Sequence, residues 1–480
     1  MNDMKPLKHR PPDAELLERL KSVVGPKGWL DQPADLAPQL VDWRRRFQGK
    51  TPLLVKPATT AEVAEIIRLC AAAQAAIVPQ GGHTGLAGGG TPHETGDEIL
   101  LSTARLNRVR SLDAANYTIT VEAGCVLNQV QDAAAAADRL FPLSLAAEGT
   151  CQIGGNLSTN AGGIAVLRYG NARDLVLGLE VVLPDGRIWD GLRALRKDNS
   201  GYDLKQLFIG AEGTLGIITA AVLRLFPAPK ERVTAFAALR DLDAAVELLA
   251  RCRAASGDSL VSFELLPRAG IDLALRHISG VADPLATKRE YYVLIELTAA
   301  AEDSDLRTRL ETALAAALED GVLADATIAE SAEQARKLWF VREGIVELQK
   351  YAGVSIKHDI SVPVARVPAF IPQAIALCAK MFPGTRPVAF GHVGDGNVHF
   401  NVYQPEAMDG AAFLAQGEAL STAIHDLAMK LDGSFSAEHG IGQLRRPEMR
   451  RYKSEVELDL MRRIKQALDP LDLMNPGKVV

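Results

Sequence analysis

The sequence predicts an α+β fold in which two folded parts follow one another along the chain. The chain has 480 residues, which is too long for one ordinary hydrophobic core. Its first half interleaves short apolar strands with glycine-rich loops, and helices alternate with strands after the boundary Pro227-Ala228-Pro229. We therefore expect the second part to be an antiparallel sheet with helices on one face.

Composition limits the classes of function that the chain can have. Hydrophobic residues make up 48% and charged residues 23% of the chain, and the formal net charge is −6. This balance is typical of a globular protein and lacks the basic surplus of nucleic-acid-binding proteins. The five cysteines include no Cys-x-x-Cys pair. They favour a reducing compartment, with neither a disulfide framework nor a thiolate metal site.

Two features of the sequence bear on location. No apolar run reaches the roughly 18–20 residues of a membrane span. The segment Met1–Leu20 contains four acidic residues and lacks the apolar centre of a signal peptide. We therefore expect a cytoplasmic protein with no transmembrane segment, although a peripheral contact with a membrane dehydrogenase chain is compatible with the sequence.

Residues 1–50 are predicted to form an N-terminal helical arm. Ala14–Val24 is amphipathic, and Leu40–Phe47 contains a basic run at 44–46 that we interpret as a solvated face. Beyond the arm, Thr59 and Glu62 have the spacing of a capping box and predict the start of a helix. A short buried strand is predicted to follow this helix, at residues 76–79.

A glycine-rich loop comes directly after this strand. The segment Gln80–Gly90 has six glycines in eleven residues, which is too costly in entropy for a helix or strand interior. Its backbone N–H groups can converge into a nest for phosphate oxygens. A flexible surface loop is the alternative, but a loop that directly follows a buried strand fits it poorly. The chain contains no G-x-G-x-x-G motif, so a Rossmann fold is not supported.

Two further segments in the first half are built from small residues. Gly149–Gly163 interleaves glycines with hydroxyl and amide side chains, a composition that can lie flat against a planar heterocycle and donate hydrogen bonds to its edge. Leu207–Thr219 is also glycine-spaced and leads into a strand. Between them, Leu177–Leu183 and Arg187–Trp189 predict a hairpin.

The second half predicts regular elements more clearly. The predicted helices are Leu242–Ala255, Asp303–Leu318, Ser331–Tyr351 and, near the C-terminus, Val456–Leu468. The predicted strands are Ser262–Leu266, Tyr291–Leu297, Val388–His392 and Val398–Tyr403. The turn-rich tail after residue 468 is expected to pack back onto the first part. We therefore expect domains at 51–228 and 229–430, after the arm 1–50 and before a returning segment, 431–480.

Two segments near the C-terminus carry candidate chemistry. Phe390–Asn401 is predicted to be a strand, a tight Gly-Asp-Gly turn and a returning strand, which would bring His392 beside His399. On the returning strand, period 2 places Asn397, His399 and Asn401 on one face and Val398, Phe400 and Val402 in a core. The second segment, Ser436–Gly442, contributes Glu438 and His439.

These residue types point to a metal site with a base beside it. The imidazoles of His392 and His399 and the carboxylate of Glu438 form a borderline-soft set that suits Zn²⁺ and leaves positions open for a substrate. His439 would then be a natural general base. The alternative is that each residue is a lone, satisfied polar group in the core, but their grouping at glycine-rich turns favours the site.

Two cations are candidate ligands for a substrate carboxylate. Arg342 lies within the apolar stripe of its predicted helix, and a buried guanidinium needs an anion. Lys357, at the start of the following strand, is the second candidate. The alternative for both is a structural ion pair, with Glu343 or Asp359 as the partner.

With these motifs in view, the sequence resembles the FAD-binding oxidoreductases of the vanillyl-alcohol-oxidase fold, whose FAD domain is of the PCMH type. Within them it is similar to the metal-dependent D-2-hydroxyacid dehydrogenases, especially the D-2-hydroxyglutarate branch. The resemblance extends from about Lys56 to the C-terminus. It is carried by Pro79–Gly90, Gly149–Gly163, Arg168-Tyr169-Gly170, Lys197–Leu204, Gly210–Thr219 and Asn475-Pro476-Gly477-Lys478.

The resemblance implies specific site residues. It assigns the metal, expected to be Zn²⁺, to His392, His399 and Glu438. It makes His439 the catalytic base and places Arg342, Lys357, Asn401 and His439 at the substrate. It implies that FAD contacts Pro79, Gly81, Gly82, His83, Thr84, Gly85, Gly149, Thr150, Gly154, Gly155, Asn156, Ser158, Thr159, Asn160, Gly163, Glu212, Gly213, Gly216, Ile217, Ile218 and Asn475.

His83 departs from the branch, which usually has asparagine there. A Gly-Gly-His sequence in the flavin loop is similar to relatives that tether FAD covalently through histidine. We expect noncovalent FAD instead, with His83 taking over a polar contact.

The implied activity is oxidation of a D-2-hydroxyacid by hydride transfer to flavin N5, with D-2-hydroxyglutarate as the expected substrate and D-malate as a second one. D-lactate or glycolate oxidation is the alternative within the family. Remoter alternatives are a non-redox transferase similar to the alkyl-glycerone-phosphate synthases and a noncatalytic flavin-binding subunit. Because no nicotinamide motif is present, the expected electron acceptor is an electron-transfer flavoprotein or a quinone. A homodimer is compatible with the sequence.

Overall fold

A computed structural model describes residues 9–302, 304–348 and 351–480. Packing divides the chain into two compact units. Unit 1 comprises Met1–Gly162, Gly170–Ala228 and Glu438–Val480, and unit 2 comprises Gly163–Tyr169 and Pro229–Ala437. This division follows packing alone, so the functional domain boundaries that the sequence predicts stay predictions.

The helices, in chain order, are α1 (Ala14–Val24), α2 (Pro33–Leu36), α3 (Thr60–Ala73), α4 (Leu127–Ala136), α5 (Ile153–Ser158), α6 (Val166–Tyr169), α7 (Lys205–Phe208), α8 (Leu242–Ser256), α9 (Arg268–His277), α10 (Leu306–Glu319), α11 (Ala332–Glu347), α12 (Val367–Met381), α13 (Gly410–Leu414), α14 (Gly417–Lys430), α15 (Arg446–Tyr452) and α16 (Glu455–Leu468).

The strands of unit 1 are β1 (Trp29–Leu30), β2 (Leu54–Val55), β3 (Ala76–Gln80), β4 (Glu98–Ser102), β5 (Val109–Asp113), β6 (Thr118–Glu122), β7 (Arg139–Leu140), β8 (Val176–Val182), β9 (Ile188–Gly191), β10 (Ile217–Arg224) and β11 (Phe226–Pro227). The strands of unit 2 are β12 (Glu231–Leu239), β13 (Leu260–Pro267), β14 (Tyr291–Ala299), β15 (Leu323–Ile328), β16 (Ser355–Ser361), β17 (Arg386–Phe390) and β18 (Asn397–Tyr403).

Unit 1 contains a mixed sheet and an antiparallel sheet. The mixed sheet has the order β1-β2-β4-β3, with β2 and β3 both parallel to β4. The antiparallel sheet has the order β5-β6-β10-β8-β9, and its β8–β9 pair is the predicted hairpin. Helix α3 begins where the capping box predicts, because the Thr59 side chain accepts a hydrogen bond from the amide of Glu62. Its buried stripe packs with that of α1 in one core.

The C-terminal tail completes the mixed sheet of unit 1. Ile77 donates its amide to Leu473 and accepts one from Asn475, both at 2.8 Å, so the tail runs beside β3. Lys478 is fully buried, and its ammonium lies 3.6 Å from the carboxylate of Glu98. The predicted return of the tail to the first part of the fold is therefore present as a backbone pairing.

The predicted N-terminal helical arm, 1–50, is only partly helical within its described residues, 9–50. Helix α1 is present as predicted, but β1 joins the mixed sheet and Leu40–Phe47 is not a helix. The carboxylate of Asp42 accepts the backbone amides of Arg44, Arg46 and Phe47, which closes a turn instead. A short acidic side chain competes with helix formation in this way because it offers the backbone local acceptors. Helix α4 ends at Ala136, since β7 follows and pairs with β11.

Unit 2 is built on two antiparallel sheets, of order β13-β14-β12-β15 and β16-β18-β17. Their strands include those predicted from sequence, with ends shifted by one or two residues. The predicted start of one helix, Asp303, lies outside the described residues, and α10 begins at Leu306. The larger sheet carries helices on both faces rather than one, because every residue of β14 is buried. A strand with a continuous apolar run needs cover on both sides.

One segment of the described residues is long and apolar enough to cross a membrane. It is Val364–Met381, which has 18 residues. Core helices meet the same criterion, and here Val367, Phe370 and Ile371 are buried in the core of unit 2. The segment is therefore weak support for a membrane span.

Candidate functional site

Unit 1 contains a pocket of about 990 Å³, counted with the space open to solvent at its mouth. Its walls come from the loop after β3, from α5 and from the segment that leads into β10. Most of the residues that the resemblance implies for FAD line it, namely Pro79, Gly81, Gly82, His83, Thr84, Gly85, Gly154, Gly155, Asn156, Ser158, Thr159, Glu212, Gly213, Gly216, Ile217 and Ile218.

Five of the implied FAD residues do not line this pocket. Gly149, Thr150, Asn160 and Asn475 belong to unit 1 but are not among its lining residues, and Gly163 belongs to unit 2. Asn475 is fully buried, and its amide donates to the carbonyls of Gly89 and Glu212. It therefore holds two wall segments together. The motif Lys197–Leu204 lies outside the wall as well, and Tyr202 is 95% exposed.

Two kinds of glycine in the wall can be told apart by what a Cβ would meet. A Cβ on Gly82 would come within 2.1 Å of the carbonyl oxygen of Thr150, and one on Gly213 within 2.4 Å of Pro79, so the packing of the protein itself requires these glycines. A Cβ on Gly85 or Gly155 would meet nothing within 4 Å. The missing side chains of this second group leave space inside the pocket, which suits a flat, tightly held cofactor such as FAD.

A buried acceptor in the wall also suits such a ligand. The two hydrogens of the Gln80 side-chain NH2 group are shared among the carbonyls of Gln39 and Gly90 and Nδ1 of His83, but the amide oxygen, Oε1, is buried without a hydrogen-bond partner among the described residues. An unpaired buried acceptor is costly unless a ligand or water donates to it. The donor groups of a flavin or its ribityl chain could do so.

Both ring nitrogens of His83 are engaged within unit 1. The carbonyl of Val41 can only accept, so Nε2 carries the proton and donates at 2.7 Å. Nδ1 then accepts from the Gln80 amide at 3.0 Å. This ring therefore braces the loop against the turn around residue 41, and its expected contact with FAD stays a prediction.

His439 is the catalytic candidate that lies in the pocket wall. It belongs to the turn at residues 438–442 in unit 1, where its Nε2 lies 3.9 Å from the carboxylate of Glu438. Glu212, from the glycine-spaced segment before β10, anchors this turn by accepting the amides of Ile441 at 2.7 Å and Gly442 at 2.8 Å. A Cβ on Gly440 would approach Glu212 to 2.8 Å, which explains the glycine there.

The anchoring carboxyl of Glu212 should make stability depend on pH. Burial raises its pKa from 4.5 to about 7, although the amides of Ile441 and Gly442, which donate to it, lower the pKa. Because the pKa of this carboxyl is higher in the folded protein than in the unfolded chain, its contribution to the free energy of unfolding is complete below pH 4.5, the unfolded-chain pKa. That contribution is lost as the pH rises through the folded-state pKa of about 7. We expect Glu212→Gln to flatten this decline, which is on the order of 2 to 3 kcal/mol. Melting temperatures measured from pH 5 to 8 test this, and equal slopes in both proteins would contradict it.

Unit 2 carries the predicted polar face. Strand β18 buries Val398, Phe400 and Val402 in the core and presents Asn397, His399 and Asn401 on the other side, as the period-2 pattern predicts. Across the ladder, Lys357 pairs with Asn401 and Asp359 pairs with His399. The Asp359 carboxylate lies 3.6 Å from His399 Nδ1 and accepts from the Asn397 amide at 2.9 Å.

The turn after β17 folds His392 back beside His399, as expected. The two Nε2 atoms are 3.4 Å apart. Two ligands at about 2.1 Å from a tetrahedral ion are separated by about this distance. The residues therefore fit a divalent cation, since both nitrogens can turn lone pairs toward one point.

Glu264 on β13 is a site residue that the sequence prediction missed. It is 1% exposed, and its carboxylate accepts from His392 Nδ1 and from Arg342 Nε, each at 2.7 Å. Burial alone would raise its pKa, but the charges and hydrogen bonds of His392 and Arg342 outweigh burial and lower the pKa to about 2. An acidic residue inside the apolar run 260–266 is the signal that could have identified it.

Arg342 has the buried position that its helical stripe predicts. Its partner is Glu264, not the Glu343 or Asp359 weighed from the sequence. The guanidinium also lies over the ring of Phe390, at 5.1 Å from the centroid. Only Nε is used by Glu264, so within the described residues the terminal nitrogens form no hydrogen bond. That edge of the guanidinium suits a carboxylate.

Comparisons with known proteins agree with this architecture. Residues 51–191 match the FAD binding domain family, and residues 228–479 match the family of FAD linked oxidases, C-terminal domain. Solved structures with the same fold include alkyldihydroxyacetonephosphate synthase (TM-score 0.73, 18% identity, 99% of this chain and 87% of that one) and p-cresol methylhydroxylase (TM-score 0.74, 14% identity, 97% and 96%). At these identities the likeness shows the fold alone, and it confirms the predicted fold class.

Curated relatives are more similar in sequence. The chain is 39% identical to a D-2-hydroxyglutarate dehydrogenase of Xanthomonas citri pv. viticola, over 93% of both chains. It is 39% identical to the mitochondrial D-2-hydroxyglutarate dehydrogenase of Bos taurus, over 98% of this chain and 83% of the relative. The mitochondrial enzyme of Arabidopsis thaliana is 36% identical, over 98% and 82%.

These relatives overturn the predicted location. The plant and animal proteins are named as mitochondrial, whereas the Xanthomonas protein carries no such description. The prediction of a cytoplasmic protein is therefore wrong. It depended on the composition of the first twenty residues and on the lack of a long apolar run, and neither feature distinguishes the cytoplasm from the mitochondrion named for these relatives.

The two profiles together cover most of the chain, and the relatives match it from end to end at more than a third identity. The pocket in unit 1 agrees with the match to the FAD binding domain family, since its walls lie mostly within the matched residues. The chain therefore belongs to the family of FAD-linked oxidoreductases that includes the D-2-hydroxyglutarate dehydrogenases.

Proposed function

We propose that this chain oxidises D-2-hydroxyglutarate to 2-oxoglutarate, with D-malate as a second substrate. The observation that carries the proposal is His439 in the wall of a pocket whose open glycine positions suit FAD. The names of the curated relatives support the choice of substrate. D-lactate or glycolate remains the alternative substrate within the family.

FAD, when bound in this pocket, supplies the acceptor for the hydride that leaves C2 of the substrate. His439 takes the proton of the C2 hydroxyl group onto an imidazole nitrogen, so that the alcohol carbon becomes a carbonyl carbon without build-up of charge. As the substrate becomes a 2-oxoacid, the proton of its hydroxyl group ends on His439, and the two electrons of the C2–H bond would leave with the hydride.

For FAD binding we propose noncovalent attachment. Both nitrogens of His83 already have hydrogen-bond partners in the protein, and an alkylated nitrogen would lose one of them. The residues that line the pocket, together with Gly149, Thr150, Asn160, Gly163 and Asn475, remain the proposed cofactor residues.

For the metal we propose a divalent cation, Zn²⁺ by ligand softness, held by His392, His399 and Glu438. The 3.4 Å separation of the imidazole nitrogens supports this assignment. Such a cation would lower the pKa of the substrate hydroxyl and fix its orientation. Arg342, Lys357 and Asn401 are the proposed substrate residues, and the free edge of the Arg342 guanidinium favours a carboxylate ligand.

For reoxidation we propose an electron-transfer flavoprotein or a quinone, because the sequence lacks a nicotinamide-binding motif. A homodimer stays compatible with the sequence.

The test is anaerobic mixing of the purified FAD-loaded protein with D- and L-2-hydroxyacids. We expect D-2-hydroxyglutarate to bleach the flavin absorbance, D-malate to do so more slowly, and L-isomers to have no effect. A chelator should abolish the bleaching, since the hydroxyl would then lose its activating cation, and added Zn²⁺ should restore it. Fast bleaching by D-lactate alone would identify the alternative substrate, and bleaching unaffected by chelator would contradict the metal.

A further inference from the structure

One buried carboxylate in unit 2 contacts two groups that the proposed function uses. Glu264 Oε1 lies 2.7 Å from Nδ1 of His392, and Oε2 lies 2.7 Å from Nε of Arg342. The side chain is 1% exposed, so neither contact competes with solvent. The first group is a proposed metal ligand and the second a proposed substrate ligand.

The contact with His392 selects one tautomer of the ring. A carboxylate paired with a guanidinium is ionised and can only accept, so His392 Nδ1 must carry the hydrogen. Nε2 is then left with a lone pair, and it is this atom that lies 3.4 Å from His399 Nε2. A carboxylate that fixes a histidine tautomer in this way also raises the basicity of the ligating nitrogen.

The backbone around Glu264 holds this geometry rigidly. Leu265 exchanges both backbone hydrogen bonds with Gly391, at 2.8 and 3.1 Å, so the residue after Glu264 is fastened to the residue before His392. Gly391 has φ of 119°, and a Cβ there would approach the His399 ring to 2.8 Å. The two imidazoles and the carboxylate therefore have little freedom to move apart.

We propose that Glu264 is a positioning residue, which holds His392 in the Nδ1-protonated tautomer for a divalent cation and at the same time orients Arg342. This inference rests on the proposed function, because it assumes the cation at His392 and His399. Through its two oxygens, Glu264 links the metal-binding and carboxylate-binding groups in one rigid unit. A substitution here should disturb both.

The experiment measures Zn²⁺ affinity of the metal-depleted, FAD-loaded enzyme by competition with a chromogenic chelator. In Glu264→Gln the amide has a donor and an acceptor, so it cannot accept from His392 and Arg342 at once. We expect affinity to fall about 10- to 100-fold. The matched control is Glu296→Gln, since Glu296 is buried in the same sheet and accepts from Arg232 and Trp339. It should bind Zn²⁺ as wild type does.

Two further measurements distinguish a failure of the positioning role of Glu264 from a failure of the proposed metal site. His399→Ala should lose Zn²⁺ binding; if wild type binds no Zn²⁺, or if His399→Ala binds it equally well, the proposed metal site fails. If wild type binds and His399→Ala does not, but Glu264→Gln matches wild type, only the positioning role is overturned. Co²⁺ absorption provides a second readout, because a displaced His392 should change the visible bands of the bound ion.

Glu264→Asp keeps the negative charge, so it tests the proposal even if Glu264→Gln does not fold. It withdraws the carboxylate by about one carbon–carbon bond, roughly 1.5 Å. We expect a smaller loss of Zn²⁺ affinity than in Glu264→Gln, with a rise in KM for D-2-hydroxyglutarate from the displaced Arg342. Unchanged affinity and unchanged KM would overturn the proposal.

Discussion

Replacing His439 with asparagine is expected to stop flavin reduction by D-2-hydroxyglutarate while FAD stays bound. The side chain lies in the wall of the unit 1 pocket, and asparagine cannot take the hydroxyl proton there. Loss of a general base typically costs a factor of about 10² to 10⁴ in rate. Stopped-flow absorbance of the anaerobic enzyme measures the rate, and the flavin spectrum before mixing measures occupancy.

The control for this experiment is His9→Asn. His9 belongs to the same unit but contacts the carbonyl of Asp472 and does not line the pocket. Its variant should reduce the flavin at the wild-type rate. A His439→Asn enzyme that keeps more than a tenth of that rate would remove His439 from the mechanism, whereas loss of bound FAD would assign it a role in holding the cofactor.

Gly155→Val should yield a folded protein that does not retain FAD. The protein alone has room for the new side chain, because no atom outside the neighbouring backbone of its own helix lies within 4 Å of a Cβ built there. The added methyl groups would occupy the space of the cofactor, and overpacking of about 1–3 kcal/mol weakens binding by about 10- to 100-fold. The ratio of flavin to protein absorbance after gel filtration reports the loss.

Gly82→Ala supplies the contrast. Its Cβ would approach the Thr150 carbonyl oxygen to 2.1 Å, so this smaller change should lower the melting temperature of the protein itself. Substitutions of two glycines in one pocket wall should thus have different effects: Gly155→Val loses FAD, and Gly82→Ala loses stability. If Gly155→Val holds FAD as firmly as wild type, the cofactor does not pass beside Gly155.

The sequence predicts the fold class, most of the pocket wall and the pairing of His392 with His399. The loop and the histidine pairing depend on local signals, namely a glycine-rich loop after a strand and a period-2 strand after a tight turn, whereas the fold family and the individual wall residues are implied by the resemblance. The structure adds what local signals cannot supply. Glu264 is 128 residues away from His392 in the chain, and only the tertiary bridge between Leu265 and Gly391 brings them together.

Arg342 shows the same limit more sharply. Its helical stripe correctly predicts burial, but burial alone does not name the anion that compensates it. The sequence neighbours Glu343 and Asp359 were the available candidates, and the partner is on a different strand. The helix prediction for Leu40–Phe47 is wrong because of a local contact rather than a distant one. Asp42 accepts nearby backbone amides, and apolar periodicity does not reveal such contacts.

The pairing of the C-terminal tail with β3 delays the completion of unit 1 until the end of translation. Unit 1 is assembled from the first 162 residues, from 170–228 and from 438–480, with more than two hundred residues between the last two segments. On a ribosome, the strand at Ile77 must wait for Leu473 and Asn475 until the final codons have been translated. Nascent chains therefore carry an unfinished pocket, lacking His439, until translation is almost complete, and a chaperone has that whole interval in which to act.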